Sequence, residues 1–351
     1  MTGEASTSPG ASLTMGRIEA AADRIGGLVR RTDVLTSSPL DEICAAHVFV
    51  KPENFQRSGS FKFRGALNRI LQLTEEERRA GIVAYSSGNH GAAVALAASI
   101  VGATATIVVP NNAATAKTRA IAGFGGEIRP YDPEVDEPDL VADAYVARTG
   151  ASFVRPFDDY EVMAGQGTLA LELFEDVREL DLLLVPVGGG GLAAGVSTVA
   201  KSLAPSCRVV GVEPALADDT HRSLLSGERL KSESNPTIAD GLRTPVPGAL
   251  TFPINQANLD GVVLVSEDDI VAAMRFCFEA MKLVVEPSGA VCIAALLNGA
   301  VEARGARVGL VISGGNVDIA RFVQLTADSE TQRRRVNQPN DRRTTAPRSM
   351  A

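Results

Sequence analysis

Short runs of apolar residues recur along the chain, and alanine-rich stretches separate them. The runs that predict strands cover residues 82–85, 106–109, 182–185, 209–212 and 309–312. The stretches that predict helices cover residues 91–100, 115–124, 166–180 and 192–203. Strands without polar alternation have both faces covered, which is typical of parallel sheets between layers of helices. The pattern therefore predicts an α/β fold with open, doubly wound parallel sheets.

The composition narrows the possible partners of this fold. The 351 residues carry a net charge of −8, which argues against nucleic acid or an anionic membrane surface as the partner. No apolar run reaches the length that spans a membrane, and the N-terminal residues lack the basic and apolar regions of a secretion signal. The cysteines have no paired spacing, which favours reduced, buried thiols in a cytoplasmic protein: Cys44, Cys207, Cys277 and Cys292.

Lys62 stands between Phe61 and Phe63, an unusual setting for a residue that normally lies at the surface. Apolar neighbours on both sides indicate that its side chain is drawn inward, and loss of solvation favours the neutral amine. Such an amine is a nucleophile near pH 7, and a carbonyl cofactor would meet it as a Schiff base. The alternative is an aliphatic stem that covers apolar surface while the charge stays in water.

An apolar run precedes four consecutive glycines, which are Gly188, Gly189, Gly190 and Gly191. Consecutive glycines let backbone N–H groups converge on a phosphate, and a following helix N-terminus favours an anion. A dinucleotide site is the rival interpretation, because Gly188, Gly190 and Ala193 nearly match its fingerprint. Glu213 also follows by roughly 20 residues, where a ribose-binding acid would stand. The dinucleotide gives no role to Lys62, so a phosphate-bearing carbonyl cofactor is favoured.

Two further polar turns follow predicted strands. One is Ser86-Ser87-Gly88-Asn89-His90-Gly91, and the other is Ser313-Gly314-Gly315-Asn316. Each could be a simple turn or helix cap, since serine and asparagine are preferred at such positions. The functional interpretation is that amides and hydroxyls at a helix start bind a carboxylate.

These four motifs occur in one order between about residues 15 and 325. Together they resemble the fold-type II pyridoxal-phosphate enzymes, specifically the branch of threonine/serine dehydratases and serine racemases. The resemblance implies a fold like the tryptophan synthase β chain, with pyridoxal 5'-phosphate in the cleft between two parallel-sheet domains. It also implies a homodimer that acts on a small-molecule amino acid.

The resemblance further divides the chain into segments. The large domain would comprise residues 14–80 and 158–325, and the small domain residues 81–157. Residues 1–13 are small and polar, and residues 326–351 form a basic tail, so both ends are predicted to be disordered.

The resemblance implies a role for each motif residue. Lys62 would carry the cofactor, Asn89 would bond its 3-hydroxyl and Ser313 would face its pyridine nitrogen. A neutral hydroxyl does not hold a proton on that nitrogen, so the ring is a weaker electron sink and elimination is favoured. The other expected cofactor contacts are Phe61, Gly188, Gly189, Gly190, Gly191, Leu192 and Glu286. Expected substrate contacts are Ser86, Ser87, Gly88, Asn89 and His90.

Two of these assignments have structural alternatives, and an acidic loop adds another site. Glu286 could be a helix-start carboxylate that the helix dipole favours. The loop from Glu213 to Asp219 could simply be solvated. In the group that this chain resembles, the loop binds Mg²⁺ or Ca²⁺ through positions matching Glu213, the carbonyl of Ala217, and Asp219. Two carboxylates and a carbonyl suit a hard cation that keeps several waters.

One segment distinguishes the branches of the family. Residues 155–159 resemble the dehydratases, because racemases have a polar amide where Phe157 stands. In addition, an arginine of the racemases aligns with Pro138.

The resemblance implies that Lys62 removes the α-proton and the β-hydroxyl leaves, giving a 2-oxo acid and ammonia from L-threonine or L-serine. Ser87 matches the second acid/base of racemases, so serine racemase and 3-hydroxyaspartate dehydratase stay as alternatives. A dinucleotide-dependent oxidoreductase and a catalytically silent pyridoxal-phosphate carrier are the alternatives from other classes.

Overall fold

The structure is a computed structural model that describes residues 12–113 and 115–336. Within them the strands are β1 (His47–Pro52), β2 (Ile82–Tyr85), β3 (Ala105–Pro110), β4 (Glu127–Tyr131), β5 (Ser152–Phe153), β6 (Leu182–Pro186), β7 (Arg208–Pro214), β8 (Gly261–Val265) and β9 (Arg307–Ile312). The helices are α1 (Met15–Ile25), α2 (Ser38–Cys44), α3 (Lys62–Leu71), α4 (Glu75–Ala80), α5 (Asn89–Ile100), α6 (Thr115–Gly123), α7 (Pro138–Thr149), α8 (Tyr160–Asp176), α9 (Gly191–Leu203), α10 (Asp219–Ser226), α11 (Thr251–Asn258), α12 (Glu267–Glu279), α13 (Pro287–Leu297) and α14 (Ile319–Val336). Short 3₁₀ turns cover Glu53–Phe55 and Asp240–Leu242.

Two parallel sheets organise these elements. Five strands form the larger sheet in the order β1-β9-β6-β7-β8, and four form the smaller sheet in the order β4-β3-β2-β5. Every pair of neighbouring strands in the two sheets is parallel. This arrangement confirms the predicted α/β class. No helix of the described residues is long and apolar enough to cross a membrane.

Both faces are covered at the predicted strands of the two sheets, which explains the absence of polar alternation there. In β6, Leu182 and Leu184 belong to a hydrophobic cluster with α12 and α13, whereas Leu183 and Val185 belong to a cluster with α8 and α9. Strands β2 and β3 of the smaller sheet divide between two clusters in the same way, whereas β4 at the edge is largely exposed. The thiols are unpaired, and three of the four are buried, with Cys44 partly exposed.

The structure differs from the sequence-based boundaries mainly at α8 and β1. Helix α8 begins at Tyr160 instead of residue 166, because the Asp159 side chain accepts hydrogen bonds from the N–H groups of Glu161 and Val162. Strand β1 was not predicted, since it contains Lys51, a polar residue that is nevertheless fully buried. Strands β4, β5 and β8 were not predicted either.

The strands of the smaller sheet all lie within residues 82–153, inside the predicted small domain. Helix α3 crosses that division, because Phe63 and Ile70 belong to the same hydrophobic cluster as Ile82 of β2. The domain boundaries therefore stay a prediction.

The C-terminal helix extends further than expected. Helix α14 ends at Val336 and so includes residues 326–336 of the predicted tail, whose disorder stays a prediction. No glycine or proline interrupts this stretch before Pro339, so no strong helix breaker opposes its continuation. Residues 337–351 of the predicted tail and residues 1–11 of the predicted N-terminal segment lie outside the described residues.

Helices α3 and α8 approach each other closely at Gly65 and Gly165. A Cβ atom on Gly165 would lie 2.6 Å from both the Arg64 carbonyl oxygen and the Cα of Gly65. The N–H group of Gly65 donates a hydrogen bond of 3.1 Å to the side-chain oxygen of Gln166. The position of α3, which begins at Lys62, is therefore set by its contact with α8.

We expect Gly165→Ala to lower the melting temperature, because the new methyl group would push α3 away from α8. Overpacking of this kind costs about 1–3 kcal/mol. The matched control is Gly16→Ala in α1, where a new Cβ would have no other atom within 4 Å. At that position alanine is more favourable than glycine in a helix by about 1 kcal/mol, so the control exchange should not lower the melting temperature. Thermal denaturation measures both effects, and an unchanged melting temperature for Gly165→Ala would contradict the close contact.

Candidate active site

The amine of Lys62 lies at the first turn of α3. Its Nζ donates a hydrogen bond of 2.6 Å to the carbonyl oxygen of Pro156, and the centroid of the Phe61 ring lies 5.2 Å from Nζ. Removal from water lowers the pKa of this ammonium group to about 8. The bond to a backbone carbonyl and the loss of water around the amine favour a side chain drawn inward over one whose charge stays in water.

The end of β9 lies beside this lysine. The N–H group of Phe61 donates to the carbonyl oxygen of Ser313 at 3.0 Å, and Ser60 forms an antiparallel bridge with Gly314. Ser313 is buried, and its hydroxyl donates to the carbonyl oxygen of Ser288 at 3.3 Å. The pairing of residues 60–61 with residues 313–314 thus places the neutral, buried hydroxyl of Ser313 on the segment next to Lys62.

The four-glycine run forms the turn between β6 and α9. Gly190 has a φ of +89°, a left-handed conformation that glycine adopts without strain. The carbonyl oxygen of Gly189 accepts from Thr251 Oγ1 at 2.7 Å, and that of Gly190 accepts from Asn255 Nδ2 at 3.1 Å. The first N–H groups of α9 have no acceptor within the helix, so this turn offers donors suited to a phosphate.

The segment Pro156-Phe157 contacts both Lys62 and the glycine run. Its neighbour Pro156 accepts the hydrogen bond from Lys62. A Cβ on Gly189 would lie 2.4 Å from the Phe157 ring, and one on Gly191 would lie 2.9 Å from the Phe157 carbonyl oxygen. Only residues without a side chain fit against this phenylalanine. The amine and the glycine turn therefore contact the same short segment.

Asn89 links two distant segments at the start of α5. Its Nδ2 donates to Glu286 Oε1 at 2.6 Å, and its Oδ1 accepts from Asn316 Nδ2 at 2.8 Å. The residue that caps α5 is Gly88, and no side chain makes a capping hydrogen bond there. The Glu286 side chain likewise makes no capping bond to α13. A capping hydrogen bond therefore accounts for neither side chain, and Glu286 stands at the start of α13, where the helix dipole also favours a carboxylate.

The other residues of this turn are placed differently. Ser87 and Gly88 are partly exposed, and Ser86 Oγ accepts a hydrogen bond of 3.0 Å from the N–H group of Gly88. His90 Nε2 lies 2.9 Å from the carbonyl oxygen of Val154, and burial lowers the pKa of this ring to about 3. The His90 side chain is therefore neutral and occupied elsewhere, which leaves its backbone for a ligand in the turn.

Glu213 and Asp219 are both fully buried, at the end of β7 and the start of α10. The Glu213 carboxylate accepts from the N–H groups of Thr220 at 3.1 Å and His221 at 2.7 Å. Neither side-chain oxygen of Asp219 has a hydrogen-bond partner among the described residues. Burial raises the pKa of both carboxyl groups, that of Asp219 to about 7. Within residues 12–113 and 115–336, no three His, Cys, Asp or Glu side chains gather as a metal cluster.

Sequence reasoning missed the residues that support the glycine run. Asp158 accepts from the N–H groups of Leu250 at 2.8 Å and Ala249 at 3.0 Å, and so fixes the start of α11. That helix supplies Thr251 and Asn255 to the glycine carbonyls. Asp158 and Leu250 are 92 positions apart, and no local pattern indicates such a pair.

Residues 25–314 match the family described as pyridoxal-phosphate dependent enzymes, and the chain belongs to this family. The match confirms the resemblance carried by the four motifs and the predicted cofactor. The residues present fit pyridoxal phosphate, because a desolvated amine can bond its aldehyde carbon and the glycine turn can take its phosphate. Family membership also favours this cofactor over a dinucleotide, and the role of the glycine run stays a prediction.

The relatives of the chain include both lyases and a racemase. It is 42% identical over 317 residues to L-threo-3-hydroxyaspartate ammonia-lyase of Saccharomyces cerevisiae, covering 90% of this chain and 97% of that protein. It is 44% identical over 321 residues to serine racemase of Dictyostelium discoideum, covering 90% and 99%. The crystal structure of that racemase matches with a TM-score of 0.83 at 43% identity, over 88% of this chain and 100% of the other. L-Threonine ammonia-lyase of Thermotoga maritima is 42% identical over 307 residues, covering 88% and 76%.

We expect Lys62 of the cofactor-free protein to react with acetic anhydride with a midpoint near pH 8. The neutral amine is the reactive form, and its fraction rises through the lowered pKa of about 8 instead of the ordinary lysine value. Peptide mapping after brief acetylation at a series of pH values measures the midpoint. The exposed Lys231 in the same digest is the reference. A Lys62 profile that coincides with that of Lys231 would show that the amine is solvated.

Proposed function

We propose that this enzyme removes the β-hydroxyl and the amino group of L-threonine or L-serine, giving a 2-oxo acid and ammonia. The desolvated amine of Lys62 carries the proposal, because its lowered pKa lets it exchange a proton near neutral pH. The Phe157 ring, on the segment that binds this amine, adds an apolar wall that suits a small uncharged side chain. The yeast and Thermotoga relatives are named ammonia-lyases.

The cofactor would be held by residues at the starts of α3 and α5 and at the glycine turn that leads into α9. Lys62 would bond its aldehyde carbon beside Phe61, and Asn89, supported by Glu286, would bond its 3-hydroxyl. When bound, pyridoxal phosphate supplies an electron-withdrawing ring that stabilises negative charge on the substrate α-carbon. The phosphate would be taken by backbone N–H groups at Gly188, Gly189, Gly190, Gly191 and Leu192.

The chain's own residues would then direct the proton and the substrate. After the amino group of the substrate has replaced Lys62 on the aldehyde carbon, the freed Lys62 amine would act as the general base that takes the α-proton, a contribution of about 10²–10⁴-fold. The Pro156 carbonyl, which accepts its hydrogen bond, keeps the amine oriented. Ser313 offers the ring nitrogen a neutral hydroxyl, which favours loss of the β-hydroxyl over a long-lived carbanion. The substrate carboxylate would bind at the start of α5, where Ser86, Ser87, Gly88, Asn89 and His90 lie.

Serine racemisation is the second candidate. Ser87 lies partly exposed in the turn before α5, where a hydroxyl could protonate the face opposite Lys62. The 44% identity to the Dictyostelium racemase supports this candidate. Both reactions would start with the same proton transfer to Lys62, so the fate of the β-hydroxyl separates them.

A dicarboxylate substrate such as 3-hydroxyaspartate is less favoured, although the yeast relative carries that name. Arg155, two residues from Phe157, is paired with Asp139 at 3.3 Å. A second substrate carboxylate would have to compete with Asp139 for this guanidinium group. It would also lie near an apolar ring, which costs desolvation energy.

We expect the 2-oxo acid to form faster than the D-amino acid when L-threonine or L-serine is supplied. The apolar wall and the neutral Ser313 hydroxyl both favour departure of the β-hydroxyl before reprotonation at Ser87. Pyruvate or 2-oxobutyrate and D-amino acid are followed in one reaction mixture. Faster accumulation of D-serine would make the enzyme a racemase. If only 3-hydroxyaspartate reacted, the proposed elimination would stand and the proposed substrate would be wrong.

We also propose that Glu213, Asp219 and the carbonyl of Ala217 bind Mg²⁺ or Ca²⁺. The supporting observation is Asp219, whose two buried oxygens have no hydrogen-bond partner among the described residues. A buried carboxylate without partners is costly, and a hard cation would satisfy it. The ion would hold the β7–α10 turn and supply no redox chemistry. Three oxygen ligands leave room for several waters.

We expect Mg²⁺ or Ca²⁺ to raise the melting temperature of the metal-free protein, and Asp219→Asn to abolish that response. A ligand that binds only the folded state stabilises by about 2.7 kcal/mol at a hundredfold excess over Kd. The control is Asp218→Asn, because the neighbouring Asp218 is paired with Arg222 at 2.9 Å. Thermal denaturation with and without chelator measures the response. If the cation raised the melting temperatures of the wild type and Asp219→Asn equally, the proposed metal site at this turn would be wrong.

The resemblance also supports a homodimer that works in the cytoplasm. The unpaired thiols of the described residues suit a reducing compartment. A free amino acid is the expected partner, in keeping with the acidic net charge of −8.

A further inference from the structure

Lys62 shares the first turn of α3 with a second cation, Arg64, which is fully buried. Glu53 and Lys51 are also fully buried, and the Glu172 side chain is 14% exposed. Charged side chains are almost never buried so completely unless they are paired. These four residues, Arg64, Glu53, Glu172 and Lys51, are called the ion quartet below. None of them belongs to the set proposed to touch cofactor or substrate.

Arg64 binds both carboxylates of the ion quartet with two hydrogen bonds each. Toward Glu53, its Nε and Nη2 donate at 2.8 Å. Toward Glu172, its Nη1 donates at 2.7 Å and its Nη2 at 2.9 Å. Two bidentate contacts from one planar guanidinium fix the orientation of that plane, and with it the helix turn that carries Arg64.

Neighbouring polar groups complete the ion quartet. Lys51 Nζ donates to Glu172 Oε2 and to the Thr32 carbonyl oxygen, both at 2.6 Å. The Thr32 hydroxyl donates to Glu53 at 2.8 Å. Two cations and two carboxylates sum to zero charge, so the cost of removing them from water is offset within the cluster.

The ion quartet holds the side of α3 that faces away from Lys62. Successive residues of an α-helix are about 100° apart, so Lys62 and Arg64 project in nearly opposite directions from one turn. Gly65, in close contact with Gly165, acts as the pivot between them. A rotation of α3 about its axis would break the bonds of Arg64 and carry the Lys62 amine away from the Pro156 carbonyl.

Stability alone does not require the ion quartet. Buried ion pairs often contribute no more than well-packed apolar residues of similar volume, because desolvation offsets their attraction. Bidentate pairs do fix the orientation of the guanidinium relative to the carboxylate, since both hydrogen bonds form in one geometry only. Lys51 also anchors the quartet to β1, where it pairs in register with Val311 of β9, two residues before Ser313.

We propose that the ion quartet positions Lys62. By setting the rotation of the first turn of α3, it aims the amine at the site between Pro156 and Ser313. Arg64, Glu53, Glu172 and Lys51 are thus positioning residues, which act through Lys62 and touch neither substrate nor cofactor. This inference rests on the role proposed above for Lys62.

The test compares two quartet variants, one in α3 and one in α8, with a control variant in α8. Glu172→Gln keeps the shape of the side chain and removes the charge from one bidentate contact. Arg64→Lys keeps the positive charge but cannot make either bidentate contact. The control is Glu175→Gln in α8, whose carboxylate pairs with Arg31 at 2.7 Å and is 65% exposed.

Three measurements on the holoenzymes separate positioning from stability. They are kcat and KM for the amino acid that the wild type turns over, the visible circular dichroism of the bound cofactor, and the share of cofactor that borohydride fixes to Lys62. We expect kcat of both quartet variants to fall by about 10²-fold, since a misplacement of roughly 1 Å costs that much. KM should change far less, and both the circular dichroism and the fixed share should fall. Glu175→Gln should keep wild-type values.

Wild-type kcat and circular dichroism in folded quartet variants would overturn the inference, and so would a loss confined to melting temperature. If Glu172→Gln does not fold, Glu53→Gln replaces it, because it disturbs the other bidentate contact. Fixation of the cofactor to another lysine in the wild-type enzyme would overturn the proposed function and the positioning together. Fixation to Lys62 with unaffected quartet variants would overturn the positioning alone.

Discussion

The contact between α3 and α8 determines where the reactive lysine lies. At Gly65 and Gly165 the two backbones leave no space for a Cβ atom. Helix α8 approaches α9 in the same way, because a Cβ on Gly195 would lie 2.6 Å from the backbone nitrogen of Gly167. The helix that begins at Lys62 and the helix that begins after the glycine turn are therefore both seated on α8. The spacing between amine and phosphate donors follows from this shared support.

Removal of water is the second constraint on the chemistry. Burial lowers the pKa of Lys62 to about 8, and no neighbouring positive charge contributes to this shift. The same burial lowers the pKa of His90 to about 3 and raises that of Asp219 to about 7. The signs differ because desolvation disfavours the charged form, which is the protonated base and the deprotonated acid. One physical effect thus gives a more reactive amine, a neutral imidazole and a carboxyl group whose negative charge is costly.

The fold does not choose among the activities of the family, since lyases and a racemase of similar identity share it. In the function proposed above, the choice would depend on a few side chains near the amine. Phe157 packs on Gly189 and makes one wall apolar, and Ser87 keeps a hydroxyl in the opposite turn. Arg155 is paired with Asp139 at 3.3 Å, and a second substrate carboxylate would have to compete with that pair.

The sequence by itself determined the α/β class, the core strands and the four motifs, because apolar runs, glycine runs and a lysine between phenylalanines are local patterns. It failed at β1, where buried Lys51 interrupts the apolar run, and at α8, whose start depends on the Asp159 cap. Only the tertiary structure brought Asn89 to Glu286, 197 positions away, and Arg64 to Glu172, 108 positions away. Such pairs depend on how separate helices and sheets pack, and the propensity of a short segment carries no information about a partner that distant.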